Sequence, residues 1–82
     1  MHDRRVVTAR LTKVFRETFD DNSIELRDET TAKDIMEWDS LTHIILVLAV
    51  EQEFGLSLNA AEIGSLENVG KMLDLLVVKA TR

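Results

Sequence analysis

Residues 36–55, "MEWDSLTHIILVLAVEQEFG", place a serine directly after an acid and follow it with a run of apolar side chains. Asp39 and Ser40 are residue types that begin helices, and Gly55 is the type that most often ends them. A buried strand is the alternative for the apolar run alone, but the charged continuation at residues 51–53 makes the segment too long for one. The stretch therefore predicts a helix that begins at Asp39 or Ser40 and ends at Phe54.

Apolar side chains also repeat at helical spacing near both ends of the chain. They predict a first helix from about Asp3 to Phe19 and a last helix that Ser65 caps. Asn59 followed by Glu62 is a capping box, which predicts a brief third helix before the last one. The repeated positions are Val7, Leu11, Val14, Phe15 and Thr18 in the first helix and Val69, Met72, Leu73, Leu76 and Ala80 in the last.

Residues 20–39 show no sustained period. They are polar apart from isolated apolar anchors at Ile24, Leu26, Ile35 and Trp38. A loop of this length in a compact domain is usually functional or held down by contacts. We therefore predict an all-α, four-helix bundle over residues 1–82, with three main helices, one short helix and a long loop between the first two.

Composition excludes several kinds of site. The 82 residues are 45% apolar and 30% charged, which is typical of one globular domain, and they include no cysteine and two histidines. Neither a disulfide framework nor a metal site is expected. The chain starts without an apolar leader, and residues 44–50 are too few to span a membrane. We expect a soluble, cytoplasmic monomer.

Charge is distributed unevenly along the chain. Residues 17–67 carry thirteen acidic side chains against Arg27 and Lys33, a net of −11, whereas residues 1–16 carry +4. An acidic middle argues against nucleic acid and favours partners with basic docking surfaces. The alternative is that these charges only keep the surface solvated.

Three roles compete for Ser40. With Asp39 and His43 it supplies the residue types of a hydrolase triad, but an adjacent acid and a histidine one turn later cannot form the linear relay. Ser40 could instead be a simple cap. It could also carry a phosphodiester, because a helix N-terminus offers partial positive charge and free N–H donors.

The arrangement of "EWDSLTHI", "VEQEFGLSL" and "SLENVGKMLDLL" behind a first helix and a long loop resembles the acyl carrier protein family. The resemblance implies that Ser40 carries 4′-phosphopantetheine, transferred by a phosphopantetheinyl transferase that recognises Asp39 and Leu41. The thiol of this arm would hold acyl groups as thioesters for acyl-loading and acyl-using enzymes. The absence of cysteine is compatible with such a role.

Two residues beside Ser40 are unusual for fatty-acid carriers of that family. Trp38 stands where many of them have a small residue, and we expect it to anchor the loop at the end of the core near the first helix. His43 lies one turn after Ser40, and we expect it to be structural and bonded to a loop carbonyl.

The apolar residues of the second helix form two stripes. Leu46, Val47, Val50 and Phe54 should face the core, and Leu41, Ile45 and Leu48 lie roughly opposite. In fatty-acid carriers acids are usual where Thr42 and Ile45 stand here. We therefore expect partners to dock by burial on Leu41, Ile45, Leu48 and Glu51. The alternative is that the long loop covers this stripe.

Together these features predict a stand-alone carrier protein without catalytic residues, acting in a specialised lipid, polyketide or other secondary pathway. One alternative is a peptidyl, aminoacyl or D-alanyl carrier. The other is an unmodified helical interaction module in which Ser40 is only a cap.

Overall fold

The computed structural model describes residues 3–64 and 68–81, which form four helices. The all-α class is confirmed, with three main helices, one short helix and a long loop between the first two. The helices are α1 (Arg4–Thr18), α2 (Ser40–Phe54), α3 (Ala60–Gly64) and α4 (Val69–Lys79).

Each of the first three helices begins or ends beside a residue of a type that commonly caps helices. Asp3 caps α1, and its side chain accepts a hydrogen bond from the N–H of Arg5. Gly55 ends α2 in the left-handed conformation, with φ of 63°, as its type predicts. Before α3, Asn59 Oδ1 accepts from the N–H of Glu62, and the Glu62 carboxylate accepts from the N–H of Asn59. The predicted capping box is therefore confirmed.

The start of α4 differs from the prediction. Ser65 lies outside the described residues, and α4 begins at Val69 with Asn68 as its cap. The Asn68 side chain accepts from the N–H of Lys71 at 2.8 Å. Its backbone is extended and forms an isolated antiparallel bridge with Thr31. Because this bridge holds Asn68 out of the helical conformation, α4 cannot extend back through it.

The core lies where α1 packs against α2 and α4. At its far end the Arg10 guanidinium lies 4.5 Å from the centre of the Phe54 ring and donates to the carboxylate and carbonyl of Glu53. The predicted core positions of the helices are buried apart from Thr18, which is half-buried. The buried apolar residues are Val7, Leu11, Val14, Phe15, Phe19, Ile24, Ile35, Trp38, Leu46, Val47, Val50, Phe54, Val69, Met72, Leu73, Leu76 and Ala80.

Contacts hold the long loop against the bundle at both ends. Three of its predicted anchors are buried, at Ile24, Ile35 and Trp38. Arg16 of α1 donates from Nε to the carbonyl of Ile24 at 2.9 Å. Near α4 the carbonyl of Asp28 in the loop accepts a hydrogen bond from the N–H of Gly70 at 2.8 Å. The loop therefore has a defined path that ends directly before Ser40.

Candidate functional site

Ser40 is the first residue of α2 and is exposed. Its position follows from the residue before it, because Asp39 has an extended backbone and starts the helix as the N-cap. A helix N-terminus that faces solvent presents its first side chain to any molecule that approaches. Ser40 is thus accessible at the point where the long loop meets α2.

Asp39 engages the first backbone donors of α2. Its Oδ1 accepts from the N–H groups of Leu41 and Thr42 at 3.0 and 2.9 Å. The Thr42 hydroxyl in turn accepts from the N–H of Asp39 at 2.8 Å, completing a capping box. The bond from the Thr42 N–H is the main reason that the pKa of the Asp39 carboxyl lies below its usual value. The prediction of free N–H donors for a phosphate is therefore wrong for these two groups.

Trp38 and His43 form a hydrogen-bonded pair beside Ser40. The indole N–H donates to His43 Nδ1 at 3.0 Å, and the two rings are stacked with centroids 6.0 Å apart. The indole also meets the Phe15 ring edge-on at 5.2 Å. Trp38 is thus the loop anchor that the sequence predicts.

His43 connects α2 to α3 as well as to the loop. Since Nδ1 accepts from the indole, the ring proton is on Nε2, which lies 3.4 Å from the carbonyl oxygen of Ile63. The structural role of His43 is confirmed, but its carbonyl partner belongs to α3 rather than to the loop. Both ring nitrogens thus face groups other than Ser40 and Asp39, so the residues do not form the relay of a hydrolase triad.

The two stripes of α2 separate as expected. Leu46, Val47, Val50 and Phe54 are buried. Leu41, Ile45 and Leu48 are 69, 51 and 57% exposed, so the alternative in which the loop covers them is wrong.

Ile44 joins the exposed stripe, although it was predicted for neither side of the helix. It is 59% exposed and lies one turn after Leu41 and one turn before Leu48. Its spacing from those two residues was the available indication, but the apolar residues of α2 surround nearly the whole helix and obscured it. We call Leu41, Ile44, Ile45 and Leu48 the outer apolar face.

Two neighbours of the outer apolar face have local structural partners. Glu51 is half-buried, and one of its carboxylate oxygens accepts from the N–H of Leu58 at 2.7 Å. The Thr42 hydroxyl donates to the carbonyl of Glu37 at 2.7 Å. The face itself carries no charged side chain, because residues 40–50 include no acid, lysine or arginine.

Within residues 3–64 and 68–81, no group of three or more His, Cys, Asp or Glu side chains could hold a metal ion. None of the helices in that part of the chain is long and apolar enough to cross a membrane.

Fold and site define a class of protein: a small four-helix domain that presents an exposed serine at a helix start, beside a histidine whose ring nitrogens face other groups. No family model matches the sequence, and no curated protein matches it. The fold is similar to the solution NMR structure of holo acyl carrier protein from Geobacter metallireducens, with a TM-score of 0.80 and 42% sequence identity. This match covers 84% of the present chain and 79% of that one. The chain belongs to the acyl carrier protein family, so it is a carrier protein and not an enzyme.

Proposed function

We propose that the protein carries acyl groups as thioesters on a 4′-phosphopantetheine arm attached to the Ser40 hydroxyl. The observation that carries this proposal is the exposed serine at the start of α2, within "DSL", in a chain similar to a holo acyl carrier protein. When bound, the arm supplies the thiol that forms the thioester. The protein's own residues position its attachment point and leave it open to partner enzymes.

The arm fits the site if its phosphodiester extends outward from Ser40. Asp39 already occupies the N–H groups of Leu41 and Thr42, and its lowered pKa keeps its carboxylate charged. Repulsion between this carboxylate and a phosphodiester disfavours an arm folded back over the helix end. An outward arm is also the one that reaches a partner's active site.

We assign recognition by the phosphopantetheinyl transferase to Asp39 and Leu41, which flank Ser40. Leu41 is well exposed, so a partner can contact it directly. Asp39 holds the helix start in place, and its second carboxylate oxygen, Oδ2, has no part in the capping bonds.

Loading by a transferase tests the attachment. Apo protein incubated with coenzyme A and a broad-specificity phosphopantetheinyl transferase should gain one phosphopantetheine by intact mass. Ser40→Ala should gain none, whereas Ser57→Ala, at an exposed serine of the α2–α3 connector, should be modified like wild type. An unmodified wild-type chain with several active transferases would support the helical interaction module instead.

We further propose that acyl-loading and acyl-using enzymes dock on the outer apolar face through an apolar surface of their own. The face begins beside Ser40, so an enzyme that reaches the arm lies next to it. Its four exposed aliphatic side chains favour contact with an apolar surface of the partner. They include no acidic group that could bind a basic patch on the partner. Glu51 contributes at the far end with the carboxylate oxygen that does not bind Leu58.

A charge on this face tests the docking proposal. Ile45→Glu should lower kcat/KM of a partner enzyme by about tenfold or more, because a buried contact residue becomes an unpaired charge. Val78→Glu is the control, since Val78 is also an exposed aliphatic side chain but lies on α4. Equal kcat/KM for wild type and Ile45→Glu would show that partners dock elsewhere.

Pathway, location and cargo family are extensions of the same proposal. An apolar docking face suits partners of a specialised lipid, polyketide or other secondary pathway, and a cytoplasmic location stays a prediction. Peptidyl, aminoacyl or D-alanyl cargo is the alternative. The two kinds of cargo are distinguished by whether acyl-loading or aminoacyl-loading enzymes charge the phosphopantetheine arm of the protein.

A further inference from the structure

One side of α2 runs from Ser40 to the buried core and faces α3 at His43. Ser40, His43 and Val47 lie at positions i, i+3 and i+7, which share one side of a helix. Val47 is buried at the inner end of this row, and His43 Nε2 faces the Ile63 carbonyl across the gap between the helices. A chain that starts at Ser40 and enters between α2 and α3 must therefore pass His43.

The rings of Trp38 and His43 lie together at the outer end of this row, which we call the entrance. Trp38 stacks on His43 with an interplanar angle of 18°, and its indole N–H is bonded to Nδ1. Behind it, Phe15 holds the indole edge-on, so that only 5% of Trp38 is exposed. His43 is thus held by Trp38 on one side and faces Ile63 on the other.

Moving the pair to admit a chain has a definite cost. The buried indole N–H would lose its acceptor, and the apolar indole surface would become exposed or would have to repack. A long aliphatic chain gains from burial in proportion to its area and must overcome this cost to enter. A short or polar acyl group gains little from burial, so it loses equally little by staying in solvent.

We propose that Trp38 and His43 close the core to the cargo, so that the acyl group stays outside the bundle and the carrier is suited to short or polar acyl groups. This inference rests on the proposed attachment at Ser40. It makes Trp38 and His43 specificity-determining residues, because they decide which cargo the bundle can shelter.

Thioester cleavage measures whether the cargo is sheltered. A broad-specificity phosphopantetheinyl transferase transfers the acyl-phosphopantetheine group of acetyl-, hexanoyl- or decanoyl-coenzyme A to Ser40. Intact mass verifies the loading. Each protein is then treated with hydroxylamine, and its cleavage rate is divided by that of the same coenzyme A thioester. In wild type the normalised rates should agree within about twofold, because none of the chains enters the core.

Removal of the rings should open the entrance. In Trp38→Ala the decanoyl thioester should react at least about fivefold more slowly than the acetyl one, since each buried methylene favours the sheltered state. His43→Thr is a second variant that removes the other ring. Phe19→Ala is the matched control, because Phe19 is a buried aromatic that packs on Phe15 without contacting this entrance.

The outcomes separate this inference from the attachment itself. A fivefold slower decanoyl thioester in wild type overturns the closed core while leaving the carrier role intact. Chain-length independence in folded Trp38→Ala and His43→Thr shows that these rings do not close it. If neither variant folds, the wild-type series alone decides. A wild-type chain that cannot be loaded overturns the attachment, and this inference falls with it.

Discussion

At the scale of single residues, Gly70 shows how closely the long loop approaches α4. Its N–H donates to the Asp28 carbonyl at 2.8 Å, and a Cβ on Gly70 would lie 2.9 Å from that same oxygen. The neighbouring atom is backbone, so it cannot move aside without displacing the loop. Gly70 is therefore required by the close approach rather than by a special backbone conformation.

Replacement of this glycine should destabilise the protein. We expect Gly70→Ala to lower the free energy of unfolding by about 1–3 kcal/mol, because the added methyl group displaces the loop from α4. Gly64→Ala is the control, since a Cβ there meets nothing within 4 Å, and it should change the free energy by less than about 0.5 kcal/mol. Urea unfolding followed by circular dichroism measures both. Equal effects would mean that the loop adapts without cost.

Some features of the residues around Ser40 are predictable from the sequence, and others depend on the tertiary structure. Trp38 was predicted as an anchor because an isolated aromatic in a polar loop usually packs on the core. The bond from its indole to His43 was not predictable, since hydrogen-bond partners depend on how the loop and α2 meet in space. Ile44 was missed because apolar residues surround nearly the whole of α2, which obscured its helical spacing from Leu41 and Leu48.

At the scale of elements, the start of α2 combines a structural task with the proposed recognition task. The Asp39 carboxylate satisfies two backbone donors, and the Thr42 hydroxyl returns the bond. This reciprocal arrangement keeps Ser40 at the first position of the helix. Recognition and stability at Asp39 are therefore separable only by substitutions that keep the cap.

Two substitutions at Asp39 make this separation. Asp39→Ala should lower the free energy of unfolding measurably, because the cap is lost. Asp39→Ser should retain most of it, since serine is also a good N-cap. If the transferase recognises the carboxylate, Asp39→Ser should nevertheless be modified more slowly than wild type. Modification of Asp39→Ser at the wild-type rate would leave Asp39 with the cap alone.

At the scale of the whole molecule, three carboxyl groups in different parts of the fold have lowered pKa values. Glu62 of α3 binds Lys79 of α4 at 2.7 Å, which is the main cause of the lowered pKa of its carboxyl. Asp21 in the loop has a lowered pKa because the Ser23 hydroxyl donates to it. The pKa of Asp39 is lowered mainly by the hydrogen bond that its carboxylate accepts from the N–H of Thr42. The ionised form of each group is therefore favoured by folding.

Stability should consequently fall in acid. A carboxyl whose pKa is lower in the folded state contributes stability that is present above its unfolded pKa, about 4, and is lost as the pH falls through the folded value. We expect the contribution of these groups to the melting temperature to be constant between pH 7 and about pH 5 and to decline below that. Thermal melts from pH 7 to pH 3 measure it. Glu62→Gln should show a smaller decline, and a constant melting temperature down to pH 3 would contradict the expectation.

The helices themselves were determined largely by local sequence. Periodic apolar residues, the caps at Asp3, Asp39 and Asn59, and Gly55 at the end of α2 act within a turn or two of the chain. Their effects can be read without knowing the fold, because the atoms that interact are close in sequence. The proposed attachment serine follows from the same information, since its place at a helix start is a local property.

Only the tertiary structure decided what surrounds that serine. The bridge to Thr31 set the start of α4 at Val69, and the packing of α2 against α1 left the outer apolar face of α2 in solvent. The Trp38–His43 pair formed because the loop returns over Phe15. These features depend on contacts between segments that are distant in sequence. Such contacts form only when the fold brings the segments together, so no single segment of the sequence determines them.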